Sequence, residues 1–135
     1  MSYIRTLSTN GILEIRVERQ DKLNALSPDM YRDLCLALGM LDRDPSLRVG
    51  LIIAQGKHFT AGIELDLWAP IFADGGAFPL PADGIDIFAL SGPRCRKPLV
   101  MATQGYCYTW GVEMMLNTDV RVAADDTRFA MLEVK

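Results

Sequence analysis

Histidine is nearly absent from this chain of 135 residues: His58 is the single imidazole. One ring cannot assemble a multi-histidine metal site, and a Ser-His-Asp or Cys-His arrangement would rest on it alone. It sits in Gly56-Lys57-His58-Phe59, a stretch that reads as a surface turn. Cysteine is scarce too. Cys35, Cys95 and Cys107 are odd in number and lack CxxC spacing, which excludes a disulfide framework and a zinc ribbon; free, buried thiols are the expectation. No apolar run reaches the roughly 18 residues of a membrane span, and Met1-Ser2-Tyr3-Ile4-Arg5 does not open a signal peptide. Positive charge is in slight deficit, 14 Lys+Arg against 17 Asp+Glu for a net of -3. That balance provides no basic face for nucleic acid or an anionic membrane. A cytoplasmic protein is the default, with chemistry drawn mainly from carboxylates and backbone dipoles.

What the chain does have is apolar patterning, at 50% hydrophobic and 23% charged, which suits one soluble globular domain. In Gly11–Glu18, Ile15 and Val17 alternate with Glu14, Arg16 and Glu18, as in a half-buried strand. Asp21–Leu26 reads as a loop. Ser27-Pro28 then opens a helix, with Ser as N-cap and Pro at the first helical position. Met30, Leu34, Leu38 and Leu41 line one face of it, and Asp44-Pro45 ends it. Val49–Ala54 and Pro98–Thr103 are continuous apolar runs, predicted as strands buried on both faces. Asp119–Ala123 is a third, more alternating strand. A short helix is predicted over Gly111–Asn117, with Met114, Met115 and Leu116 as core. Between these elements Trp68–Gly92 carries Pro70, Pro79, Pro81 and four glycines. It reads as a mobile loop followed by a short helix at Ile85–Leu90, and a loop of that length is usually functional or disordered. Strand, crossover, strand is the grammar of an α/β layer fold.

Two segments place glycine at the outgoing end of a buried strand: Gly56–Leu65 and Gln104–Met114. In layered α/β folds ligands gather there, and backbone N–H groups point at them. Two such groups converging from two loops would polarise a carbonyl. Taken alone, each glycine is better explained by a plain tight turn, and neither segment matches a phosphate-binding loop.

Six segments nevertheless occur in one order: Asn24-Ala25-Leu26, Gly56-Lys-His-Phe-Thr-Ala-Gly-Ile-Glu-Leu65, Lys97-Pro98-Leu-Val-Met-Ala-Thr-Gln-Gly-Tyr106, Gly111-Val-Glu113, Asp119–Ala124 and Phe129–Val134. Together, from about residue 10 to residue 135, they resemble the crotonase superfamily, the enoyl-CoA hydratase/isomerase family. The resemblance implies an α/β fold, a spiral of ββα units, that binds an acyl-CoA thioester. It implies an oxyanion hole from the backbone N–H groups of Ile63 and Trp110, with Glu113 and Glu133 as the acid/base pair that adds water across the α,β double bond. Substrate-contacting positions fall on Lys22, Ala25, Ala61, Gly62, Glu64 and Gly111, and Lys57 also resembles a position near CoA. No metal or separate cofactor is implied, since CoA arrives as part of the substrate. Two carboxylates can divide acid and base roles if their environments differ, and Glu113 falls in the first turn of a short helix, where the dipole favours a carboxylate. Asp119 and Asp125 read as strand-edge and turn residues.

Two departures stand out. The second donor segment, usually glycine-rich, is Tyr108-Thr109-Trp110-Gly111, and the indole would fill acyl space; position 64 is Glu where Asp is common. Trp68–Leu90 is expected to shape the acyl pocket. Double-bond isomerisation on the same scaffold, a non-catalytic acyl-CoA-binding or assembly subunit, and a structural domain without ligand are the rivals to hydration. Such chains are normally about twice as long. Residues 1–135 are therefore expected to be the N-terminal portion of the domain, truncated before its C-terminal helical part. It would be a homotrimer or hexamer when full length, or be completed by a C-terminal fragment.

Overall fold

A computed structural model describes residues 2–132. It opens with a hairpin of β1 (Ile4–Thr9) and β2 (Ile12–Val17). Asn10 and Gly11 both have positive φ, +52° and +81°, as a two-residue turn with the twist of the flanking strands requires. Leu13, Ile15 and Val17 of β2 are buried, the alternation its sequence predicts. The helix α1 (Pro28–Arg43) begins as expected: Pro28 is at its first position, and Ser27 Oγ accepts from the Met30 N–H at 3.2 Å. Met30, Leu34, Leu38 and Leu41 are all buried.

The strand β3 (Val49–Ala54) differs from expectation. Gly50 and Ile52 are buried, whereas Val49, Leu51, Ile53 and Ala54 are only half-buried. The first face meets α1, whose Leu41 lies so close that a Cβ at Gly50 would sit 2.7 Å from its Cδ2.

After β3 the chain forms α2 (Leu65–Ala73), a helix where the sequence suggested the start of a loop. Its anchor is Trp68, fully buried, whose Nε1–H donates to the Leu26 carbonyl at 2.8 Å. The short helix expected at Ile85–Leu90 does not form. Asp86 accepts there from the N–H groups of Phe88 (3.1 Å), Leu90 (2.9 Å) and Ser91 (3.2 Å), so its side chain takes donors that a helix would use. The segment is still core: Ile85, Asp86, Ile87 and Phe88 are buried.

There follow β4 (Leu99–Thr103), β5 (Tyr106–Tyr108), α3 (Trp110–Leu116), β6 (Val120–Ala123) and β7 (Arg128–Ala130). One sheet has the order β1-β2-β3-β4-β6, parallel except for the hairpin, and β5 pairs with β7 in a second. Bridges Leu26↔Ile63 and Thr60↔Cys107 extend the second layer. Each turn is thus a long strand, a short extended piece across it and a helix: β3, residues 60–63, α2; then β4, β5, α3. This is the spiral of ββα units expected. Of the three α3 residues expected in the core, only Met114 is buried; Met115 is half-buried, and Leu116 is 71% exposed because two residues of helix carry it to the other side. Asp119 Oδ2 accepts from the Leu99 N–H at 2.8 Å, tying β6 to the start of β4. Among the described residues no helix is long and apolar enough to cross a membrane.

Candidate active site

Three chain segments meet around Thr60, which is completely buried. Its backbone accepts from the Tyr108 N–H (3.1 Å) and donates to the Tyr106 carbonyl (2.9 Å), so residues 60–63 run beside β5. On the other side Ala61 N–H donates to Leu23 O (3.0 Å), Gly62 O accepts from Leu26 N–H (2.9 Å), and Glu64 N–H donates to Leu26 O (3.0 Å). Asn24 holds that third segment. It adopts φ +55°, accepts from Arg19 N–H at 2.7 Å, and donates to the carbonyls of Gln55 (2.9 Å) and His58 (3.1 Å).

That pairing decides where the expected oxyanion donors point. Gly62 O and Glu64 N–H face Leu26, so the N–H of Ile63 between them is directed away from it. Trp110 is the first residue of α3, and its N–H has no partner within the helix. Among the described residues neither N–H meets an acceptor. The two loops touch: a Cβ at Gly62 would lie 3.6 Å from Thr109 Oγ1, and one at Gly111 would lie 2.8 Å from Thr60 Cγ2. Gly111 is glycine because helix and loop approach that closely. The indole of Trp110, expected to fill acyl space, is packed into the core and does not line the cleft that Glu113 lines. It is 1% exposed, its ring 5.7 Å from that of Phe59.

Glu113 stands one turn further on, half-buried, its N–H donating to Thr109 O at 3.1 Å. With Phe88, Ala89, Leu90, Arg94, Leu116 and Asn117 it lines a cleft of about 350 Å³. The last three residues of the Trp68–Leu90 stretch, expected to shape an acyl pocket, thus line this cleft. Glu133, the expected second carboxylate, lies outside the described residues. Glu64 is paired with Arg19, Nη1 to Oε2 at 2.5 Å, though without hydrogen-bond alignment at that oxygen. Lys22 and Lys57 are exposed, and Lys57 edges a second hollow of about 200 Å³ with Gln20, Leu23, Asn24, Gln55, Gly56 and His58. Ala25 and Ala61 are half-buried on the paired segments.

His58 is a joint. Its Nδ1 accepts from the Tyr106 N–H at 2.9 Å, and the rings stack with centroids 3.9 Å apart; a surface turn describes it incompletely, since it is half-buried. Gly105 makes the joint possible, with φ +56° and a hypothetical Cβ only 2.3 Å from Lys57 O and 2.5 Å from His58 Nδ1. Gly105→Ala is expected to destabilise the fold by roughly 2–4 kcal/mol, from overpacking and the left-handed backbone together. Thermal unfolding would show this as a Tm lower by on the order of 10 °C. Cys35 and Cys107 are buried free thiols, raised by desolvation to about 11 and about 12, so both stay protonated and unreactive at neutral pH. Cys95 is only half-buried, against expectation.

The polar residues that build this site were not singled out by spacing. Arg19, Thr60 and Asp86 bind partners far along the chain, such as Thr60 to Trp110, 50 residues away. The Thr60 signal available in the sequence was its place between Phe59 and Gly62, inside the segment already read as a loop.

Comparison with known proteins follows the same outline. The family model for enoyl-CoA hydratase/isomerase matches residues 8–135. Enoyl-CoA hydratase EchA19 of Mycobacterium tuberculosis is 32% identical over 128 residues, covering 91% of this chain and 47% of that protein. The peroxisomal Delta(3,5)-Delta(2,4)-dienoyl-CoA isomerase of Arabidopsis thaliana is 26% identical over 144 residues, 99% of this chain and 52% of that protein. A probable enoyl-CoA hydratase/isomerase from Mycobacterium abscessus superposes with a TM-score of 0.93 at 33% identity, over 98% of this chain and 51% of the other. The chain spans about half the length of the relatives it matches.

Proposed function

The chain belongs to the enoyl-CoA hydratase/isomerase family, and from that membership we propose that it serves an enoyl-CoA hydratase, adding water across the α,β double bond of an acyl-CoA thioester. The observation that carries this reading is the junction at Thr60, which leaves the N–H groups of Ile63 and Trp110 on touching loops with no acceptor among the described residues. Two fixed donors of this kind stabilise the negative charge that grows on a thioester oxygen when water adds at C3. In this reading Glu113, in the lining of the Phe88–Leu90 cleft, moves a proton at the reacting carbons or water, with Glu133 as its partner. Ala25, Ala61, Gly62, Glu64 and Gly111 shape the thioester channel, while Lys22 and Lys57, exposed beside the second hollow, meet the anionic CoA moiety.

Val120, Val122, Phe129 and Leu132 are exposed, an apolar edge suited to burial against further polypeptide, and assembly as a homotrimer or hexamer is part of the proposal. Isomerisation is the second reading, favoured by the dienoyl-CoA isomerase among the relatives; there one glutamate would shuttle a proton between carbons.

The test is to follow crotonyl-CoA at its thioester absorbance with the complete gene product. Loss of absorbance with formation of the 3-hydroxyacyl product supports hydration. Conversion of a 3-enoyl-CoA to the 2-enoyl product without hydration supports isomerisation. Calorimetric binding of acyl-CoA without either turnover would establish a non-catalytic subunit instead.

A further inference from the structure

The side chain of Trp110 does something distinct from its backbone. Its Nε1–H donates to Thr60 Oγ1 at 2.7 Å, and both groups are buried. The same hydroxyl accepts from the Gly62 N–H at 3.1 Å and lies 2.8 Å from Asn24 O and 3.2 Å from Gly62 O. A hydroxyl has one proton, so it donates to one carbonyl, the nearer being Asn24 O, while its lone pairs take the two N–H groups. One oxygen thereby ties together the Asn24 segment, the loop bearing the Ile63 N–H and the residue bearing the second donor.

The backbone beside it needs holding. Thr109 has φ +54° and ψ -106°, a region that favours glycine and that a β-branched residue enters only under constraint. On one side Thr109 N–H is fixed to Ala130 O at 2.9 Å; on the other the anchored indole follows directly. Gly111, pressed to within 2.8 Å of Thr60 Cγ2 by the hypothetical-Cβ measure, removes the remaining slack. Where glycines would leave this turn free, a bonded indole makes it stiff.

We propose that the Trp110 indole and Thr60 hydroxyl form a positioning clamp that sets the spacing of the Ile63 and Trp110 backbone donors, and that both are positioning residues for thioester polarisation. This rests on the oxyanion-hole reading above. Thr60→Val deletes the bond with little change of shape, Trp110→Phe deletes it together with the pyrrole ring, and Thr60→Ser keeps it. With the complete gene product, the clamp predicts that Thr60→Val and Trp110→Phe lower kcat about tenfold to a hundredfold, with acyl-CoA Kd nearly unchanged. The double variant should be no worse than the poorer single one, because both remove the same bond. Thr60→Ser should retain nearly full kcat.

The discriminating readout is the infrared carbonyl stretch of bound crotonyl-CoA, labelled at the thioester carbon. Bound to the unaltered protein it should shift to lower frequency, and the shift should shrink in the Val and Phe variants but not in Ser. A carbonyl shift that is full in every variant overturns the clamp and leaves the oxyanion hole standing. Equal loss in Ser and Val, with matching losses of Tm, assigns Thr60 to packing and also overturns it. No shift in the unaltered protein overturns the oxyanion hole itself, and the clamp falls with it.

Discussion

Glu113→Gln is expected to lower kcat by about 10²–10⁴-fold while acyl-CoA affinity stays nearly constant. Glutamine matches glutamate in size and can still orient a water molecule or a carbon acid, but it can neither take nor return a proton. Glu113 is suited to proton transfer by its place. It is half-buried on α3, its backbone held by the Thr109 carbonyl, and it faces a cleft walled by Phe88, Ala89, Leu90 and Leu116. Trp110 begins the same short helix, so under the proposed reading a thioester held at its N–H would lie one turn from this carboxylate. Steady-state turnover of crotonyl-CoA, with Kd measured separately by calorimetry, resolves the effect into a chemical step and a binding step. A variant with full kcat would remove Glu113 from the acid/base role under hydration and isomerisation alike. A variant whose Kd alone rises would make it a substrate contact.

The elements that could be read from the amino-acid order are those whose partners are periodic and local. Leu13, Ile15 and Val17 mark β2 by alternation, and Met30, Leu34, Leu38 and Leu41 mark α1 by helical spacing; all are buried. β1 carries no such mark, because among its six residues only Ile4 is buried. α2 was hidden for a related reason: only Trp68 is buried, and Pro70 lies inside it. The donor positions Ile63 and Trp110 became visible through the family resemblance. What joins their segments, the Thr60 hydroxyl with acceptors and donors 36 and 50 residues away, is a tertiary fact that spacing along a chain does not encode. The same holds for the indole of Trp110. Its bulk suggests an obstructed site, and its buried Nε1–H bond to Thr60 is invisible to spacing.

Asp86 carries the second large effect. Its carboxylate is buried and takes four donors: the Tyr31 hydroxyl at 3.0 Å and the N–H groups of Phe88, Leu90 and Ser91. Burial first, then the neighbouring Cys35 and Asp86, push the Tyr31 pKa up, so Tyr31 remains a phenol able to donate. Asp86→Ala strands these donors. Leu90 and Ser91 are exposed and can turn to water, but Tyr31 and Phe88 are buried, the Tyr31 ring packed against those of Trp68, Phe78 and Phe88. The expected loss is therefore about 3–5 kcal/mol, the range for an abandoned buried network. Asp86→Asn is the gentler and more telling change. Its amide retains one oxygen, so it satisfies either Tyr31 and Phe88 or Leu90 and Ser91, and a loss of about 1–3 kcal/mol is expected. Because Phe88, Ala89 and Leu90 wall the Glu113 cleft, that slack reaches the site. Trypsin should cut after the exposed Arg94 faster in Asp86→Asn than in the unaltered protein, and KM for acyl-CoA should rise before kcat falls. Equal proteolysis rates and equal KM in the two proteins would show that the loop holds its place through Ile85, Ile87 and Phe88 packing alone, and would leave the carboxylate a role in stability only.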